Sequence, residues 1–140
     1  MTRHARDDRG VATVEFALIV PTLLLLICGV IDFGSRYKTA ALYNNAALVA
    51  ARSVAINDNA ATATTAANAA ATNAGIPSGV TPTYAYKTDA GLTVVGCAIA
   101  ADGTYPNVTV TITKSNVATA TKLFGTTFSV TGKAVVRCAA

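Results

Sequence analysis

From Val11 to Ile31 the chain reads VATVEFALIVPTLLLLICGVI, a run in which Glu15 is the one charged side chain. No other feature limits the fold as strongly. A helix from Phe16 to Ile31 is about 24 Å long at a rise of about 1.5 Å per residue, short of the roughly 30 Å of bilayer hydrocarbon. Begun at Val11 it reaches about 31 Å and matches that thickness. The carboxylate then lies inside the span, one turn from its end. An ionisable group inside a membrane segment costs free energy and points to a function with a partner.

The kind of segment follows from its flanks. Arg3, Arg6 and Arg9 supply a basic start. Gly29-Val30-Ile31-Asp32-Phe33, after the apolar core, offers no small-x-small cleavage site for secretion. Cys28 follows Ile27 rather than a small residue, which excludes a lipoprotein signal. What remains is an anchor that stays with the chain. Hydrophobic residues make up 52% of the 140-residue chain and charged ones 13%, and much of the apolar share is this run or alanine. The net charge of +4 has no basic stripe with interleaved aromatics, so nucleic-acid binding is not expected.

A partner for Glu15 arises if the chain is cut between Gly10 and Val11. The cut removes the arginine-rich leader and frees an α-amino group on Val11. Glu15 becomes the fifth residue, about 6 Å along the axis from that group. In a staggered bundle the carboxylate of one subunit can meet the Val11 ammonium of its neighbour. Two charges, each costly in an apolar setting, then neutralise each other and fix the axial register. The competing explanation is a generic anchor with an accidental glutamate.

These residues resemble a known pattern. The basic leader ending at Gly10, Glu15 at the fifth mature position and the apolar helix are similar to type IV pilins and pseudopilins. GVATVEFALIVPTLLLLICGVIDFG, followed by Asn45-Ala46-Ala47 and Ala50-Ala51-Arg52, resembles more closely the TadE-like family of the tight-adherence (Flp) pilus system. The likeness covers residues 6–54, with Glu15, Phe16 and Pro21 at its centre. It implies cleavage after Gly10 by a prepilin peptidase, methylation of Val11, and incorporation into a pilus or its base. The implied partners are other pilin subunits, the peptidase, the pilus assembly machinery and, before assembly, the bacterial inner membrane. The basic residues on the two sides, Arg3, Arg6 and Arg9 against Arg36 and Lys38, give only a slight positive-inside bias. A cytoplasmic leader and a disulfide beyond the span place the C-terminal part outside, in the periplasm and then in an extracellular pilus.

Beyond Asp32 the helical pattern continues. Phe33, Tyr37, Ala40, Ala41, Ala47, Leu48, Ala51, Val54 and Ala55 recur at three- and four-residue spacing, a stripe for a head, for neighbouring subunits, or for both. Pro21 removes one backbone hydrogen bond and is expected to kink or locally unwind the helix, easing extraction from the membrane. Asp58 or Asn59 is a candidate cap for an alanine-rich helix over 60–73, ended by Gly75, Pro77 and Gly79, with a partly disordered linker as the alternative. From residue 80 the period becomes two. Strands are expected over 81–87, 92–100, 105–113 and 128–138, with Asp102-Gly103 as a turn leading into the third. On the last strand Phe128, Val130, Ala134, Val136 and Cys138 share a face, which the first helix covers.

Cys97 and Cys138 follow the anchor in a polar half, which suggests a disulfide formed in an oxidising compartment, with Cys138 reaching Cys97 on a neighbouring strand. Two buried thiols are the alternative. Cys28 reads as an inert thiol within the span. The expected fold class is α+β: a long N-terminal transmembrane helix, a short second helix, and a small three- or four-stranded antiparallel sheet packed on the long helix, as in pilins. The expected divisions are a leader at 1–10, a transmembrane and assembly helix at 11–32, its amphipathic continuation at 33–56, the second helix and linker at 57–79, and a β-sheet head at 80–140.

Catalysis has little to draw on. The single histidine, His4, lies in the leader, so no Ser-His-Asp or Cys-His arrangement is expected after cleavage. Asp58, Asp89 and Asp102 stand beside turn-forming residues. No paired C-x-x-C and no phosphate-binding glycine loop are present, and no cofactor or metal is expected. Asn107-Val108-Thr109 matches a glycosylation sequon but reads as the start of a strand. The chain is expected to be a structural subunit, a minor pilin or pseudopilin for surface attachment. The alternative is a single-span envelope protein whose outer domain binds a partner and never enters a filament.

Overall fold

Small residues decide how closely the elements of this chain meet. The computed structural model describes residues 7–57, 60–73, 75, 82–122 and 125–138. Helix α1 runs Asp7–Asn57 and helix α2 runs Ala60–Asn73. Strands β1 (Pro82–Lys87), β2 (Thr93–Val94), β3 (Asn107–Ala118) and β4 (Thr127–Arg137) form one antiparallel sheet in the order β2-β1-β3-β4. The fold is α+β, as the sequence predicts.

Alanine is the strongest helix former and carries no side chain beyond Cβ, so two alanine faces approach closely at little entropic cost. Ala46, Ala47, Ala50, Ala51, Val54 and Ala55 of α1 are buried, together with Ala63 and Ala67 of α2. On the sheet side Val108, Val110 and Ile112 of β3 are fully buried, each contributing about 1.5–3 kcal/mol by leaving water. Ala134 and Val136 of β4 and Tyr84 and Tyr86 of β1 complete the face. Tyr43 is the largest fully buried side chain among the described residues, and burial raises its phenol above the ordinary 10.0. The packed head therefore holds the neutral phenol. Stability from that preference is fully present below about pH 10 and is lost as pH rises through the raised value.

Gly132 sets the helix–sheet distance. A Cβ there would collide with the carbonyl group of Tyr43 and come within 2.7 Å of the Asn44 nitrogen. Beside it the Lys133 amide donates to Asn44 Oδ1 at 3.0 Å, tying the β4 backbone to the helix.

Some expected boundaries change. The strand expected over 92–100 shrinks to Thr93–Val94, because Gly96 takes a left-handed φ of 75° and the chain bends off the sheet over 95–98. Cys97 therefore lies in a bend, not on a strand beside Cys138. The two cysteines nevertheless pair, with sulfurs 1.99 Å and Cα atoms 5.4 Å apart. Asp102-Gly103 makes the expected turn, closed between Ala100 and Thr104, but the strands on its two sides are not neighbours, since β1 lies between β2 and β3. β3 starts at Asn107 and continues past Thr113 to Ala118 through a bulge at Ser115 and Asn116, the latter at φ 59°. α1 continues as a helix through Pro21, so local unwinding is not seen there. Of the expected stripe, Ala47, Ala51, Val54 and Ala55 join the core, whereas Phe33, Tyr37 and Ala41 face outward and Tyr43, Ala46 and Ala50 replace them. The proposed caps Asp58 and Asn59, the terminators Pro77 and Gly79, and residue 81 lie outside the described residues.

Gly132→Ala is expected to destabilise the head by about 1–3 kcal/mol, the usual range for overpacking, whereas Ser129→Ala on the exposed face should change stability by less than about 0.5 kcal/mol. Thermal unfolding of the full chain in detergent checks both. Cys97→Ser with Cys138→Ser opens a loop spanning a separation of 41 residues. That should cost about 4 kcal/mol in the chain-entropy estimate, read by denaturant titration against the oxidised protein.

Candidate functional site

The head leaves the first part of α1 bare. Val11, Val14, Phe16, Leu18, Ile19, Leu23 to Ile27, Val30 and Ile31 are all exposed, Leu18 at 73% and Val30 at 73%. The helix is long and apolar enough to cross a membrane. So large an apolar surface is not left to water by a stable soluble chain; it needs lipid or protein against it.

Glu15 sits on this rod, exposed, one turn after Val11. Gly10, Val11, Val14, Glu15 and Leu18 line one shallow hollow, so the carboxylate and the Val11 backbone share a face. The helix already includes the Gly10–Val11 bond, which the expected leader boundary cuts. Phe16 and Pro21 are exposed further round and along the same rod. Val11, Glu15, Phe16 and Pro21 thus lie within three turns of one bare helix. Cys97 and Cys138 lie far from them, in the head. Cys28 is free and half-buried.

One residue of this region escapes sequence reasoning. Asp32 is buried, and its carboxylate accepts two hydrogen bonds from Thr121, from the amide at 2.8 Å and from the hydroxyl at 2.7 Å. One turn on, the Arg36 guanidinium lies 5.1 Å over the Phe128 ring. The signal was present: Asp32 precedes Tyr43 by eleven residues, three helical turns, which puts it on the face that carries the core. A buried carboxylate needs donors, so a polar loop of the head had to reach it.

The acids read as turn residues behave so where they are described. Asp102 accepts from the Thr104 hydroxyl at 2.6 Å and amide at 3.0 Å, bonds that hold its carboxyl below the usual range. Asp89 accepts from Asn107 at 2.7 Å and faces Arg137 at 3.4 Å across an exposed pair, which contributes little to stability. Asp58 is outside the described residues. Among the described residues no group of three or more His, Cys, Asp or Glu side chains could hold a metal.

Replacing Asp32 with alanine removes the acceptor of both Thr121 hydrogen bonds and is expected to cost about 1.5–3 kcal/mol. Hydrogen exchange on the full chain checks it: the Thr121 amide should lose protection in Asp32→Ala, while amides of β3 keep theirs.

No curated protein and no solved structure matches the chain. Residues 10–52 match the model of the TadE-like protein family, a stretch that holds Glu15, Phe16, Pro21, Asp32 and Tyr43 and ends before the head. Over this helix the chain is similar to TadE-like proteins.

Proposed function

We propose that the chain is a pilin-like structural subunit, a minor pilin or pseudopilin of a tight-adherence pilus that serves surface attachment. The observation that carries this reading is the bare apolar rod with its lone carboxylate one turn from Val11, beneath a head whose core is complete without it. The TadE-like match supports the coarser part, an association with the Tad pilus and a structural rather than enzymatic role.

In this reading the chain first sits in the bacterial inner membrane as a single pass, with the head outside. A prepilin peptidase cuts after Gly10 and removes the leader. Because α1 already includes that bond, the first turns must open to present it to the peptidase. The new Val11 ammonium and the Glu15 carboxylate of adjacent subunits then pair as the assembly machinery draws the helix out of lipid. Leaving the bilayer exchanges one apolar environment for another, so the exposed leucines and isoleucines lose little, whereas an unpaired carboxylate would lose much. The charge pair therefore selects the stagger. The divisions of the chain follow: leader 1–10, spanning and assembly helix 11–32, the head-bearing continuation 33–56, the second helix and linker 57–79, and the sheet 80–140.

N-terminal sequencing of the protein purified from surface appendages is expected to read Val11 first. An intact Met1 or Thr2 start would leave only a tethered envelope protein whose outer domain binds a partner. Glu15→Ala should insert into the membrane as well as the native chain, yet its incorporation into sheared filaments should fall at least about tenfold, corresponding to the loss of about 1.4 kcal/mol or more of pairing. Wild-type incorporation of that variant would refute the charge-pair account.

A further inference from the structure

The hydrogen bonds at Asp32 fix which end of the head meets the membrane. Asp32 lies twenty-one residues beyond Val11, about 31 Å along the helix, close to the thickness of the hydrocarbon layer. Thr121 is bonded to it, so the β3–β4 connection is the lowest point of the described head. Phe128 at the start of β4 meets Arg36, and Gly132 meets Tyr43, so β4 climbs away from that level.

The balance of charge changes along the same axis. At the far end Lys87 and Arg137 are offset by Asp89 and Asp102, whereas the low end carries exposed basic residues with no exposed acid among the described residues. Lys122 is exposed in the connection, next to the bonded Thr121. Lys38 is exposed on α1, and Arg36 lies against Phe128 on the same turn. The described acids of the head, Asp89 and Asp102, are at the opposite end: Asp89 joins the first residue of β3 to the last of β4, and Asp102 caps the turn before β3. Among the described residues the one acid at the low end, Asp32, is buried and answered by Thr121. Phe33 and Tyr37, 74% and 73% exposed, project from α1 at the same level without packing on the head. Aromatic rings with nearby basic side chains are the combination that settles at a lipid headgroup layer, and anionic headgroups attract the basic part.

We propose that the head docks on the outer leaflet of the membrane through Lys122, Lys38, Phe33 and Tyr37, with anionic phospholipid headgroups as its partner before assembly. The inference rests on the reading of α1 as a membrane anchor. It adds that the head lies down on the lipid and does not stand off on a free stalk. The Asp32–Thr121 bonds are what hold the basic loop at that height.

The chain contains no tryptophan, so single tryptophans report unambiguously. The full chain is reconstituted in phosphatidylcholine bilayers with and without phosphatidylglycerol, and quenched by lipids labelled near the headgroup or deep in the acyl chain. Leu25→Trp should be quenched by the deep label. Ala120→Trp, next to the bonded threonine, should be quenched by the shallow label, and more strongly with phosphatidylglycerol. Ala101→Trp at the far end should respond to neither. Adding Lys122→Glu to Ala120→Trp should roughly halve the shallow quenching in the anionic bilayer and leave the neutral one unchanged. An unquenched Ala120→Trp beside a deeply quenched Leu25→Trp overturns the docking while the anchor stands. Quenching of Ala120→Trp that ignores both phosphatidylglycerol and Lys122→Glu overturns the choice of partner. An unquenched Leu25→Trp removes the anchor itself, and the docking with it.

Discussion

Everything in this molecule depends on how near the backbone of α1 can come to the backbone of β4. At Gly132 the sheet touches the Tyr43–Asn44 peptide, and no other side chain could stand there without displacing the strand. That contact lets a layer of alanines, valines and one tyrosine close into a core. A head sealed on the upper part of α1 has no use for the lower part. The apolar surface from Val11 to Ile31 is thus left for the bilayer or for other helices, and the TadE-like match falls on the helix that does both jobs.

Much of this was legible in the chain because the physics behind it is local. The apolar run, its length against a bilayer, and the carboxylate at Glu15 need no tertiary information. The period-two alternation of Val108, Val110 and Ile112 gives a strand, and the parity of Phe128, Val130 and Cys138 gives its inner face; both hold in the structure. α2 was expected at about these residues, since a run of alanines bounded by Asn and Gly has few other uses.

What stayed hidden depends on distant pairings. Gly132 looks like a gap in an otherwise regular strand until the helix carbonyl opposite it is known. Asp32 looks like the polar end of a membrane span until Thr121, 89 residues later, supplies its donors. Leu92 to Ala100 alternates well enough to pass for a strand, yet the need to bring Cys97 to Cys138 turns the chain away after Val94. In the helical stripe the phase was right from Ala47 to Ala55 and failed at its start: Phe33 and Tyr37 are large and apolar, but the face that meets the sheet there is chosen by small residues and by Tyr43.

The account's central claim is that Glu15 of one subunit meets the Val11 ammonium of the next. Filaments grown from a mixture of two preparations, one carrying ¹⁵N at valine and the other ¹³C at the glutamate carboxylate, test it by solid-state NMR. With Glu15 as the one glutamate in the sequence, the carboxylate signal has a single source. A dipolar contact between that carbon and an α-amino nitrogen, within about 4 Å and present only between differently labelled subunits, is the result expected of an ion pair. A Glu15 carboxylate with no such contact in well-ordered filaments contradicts it.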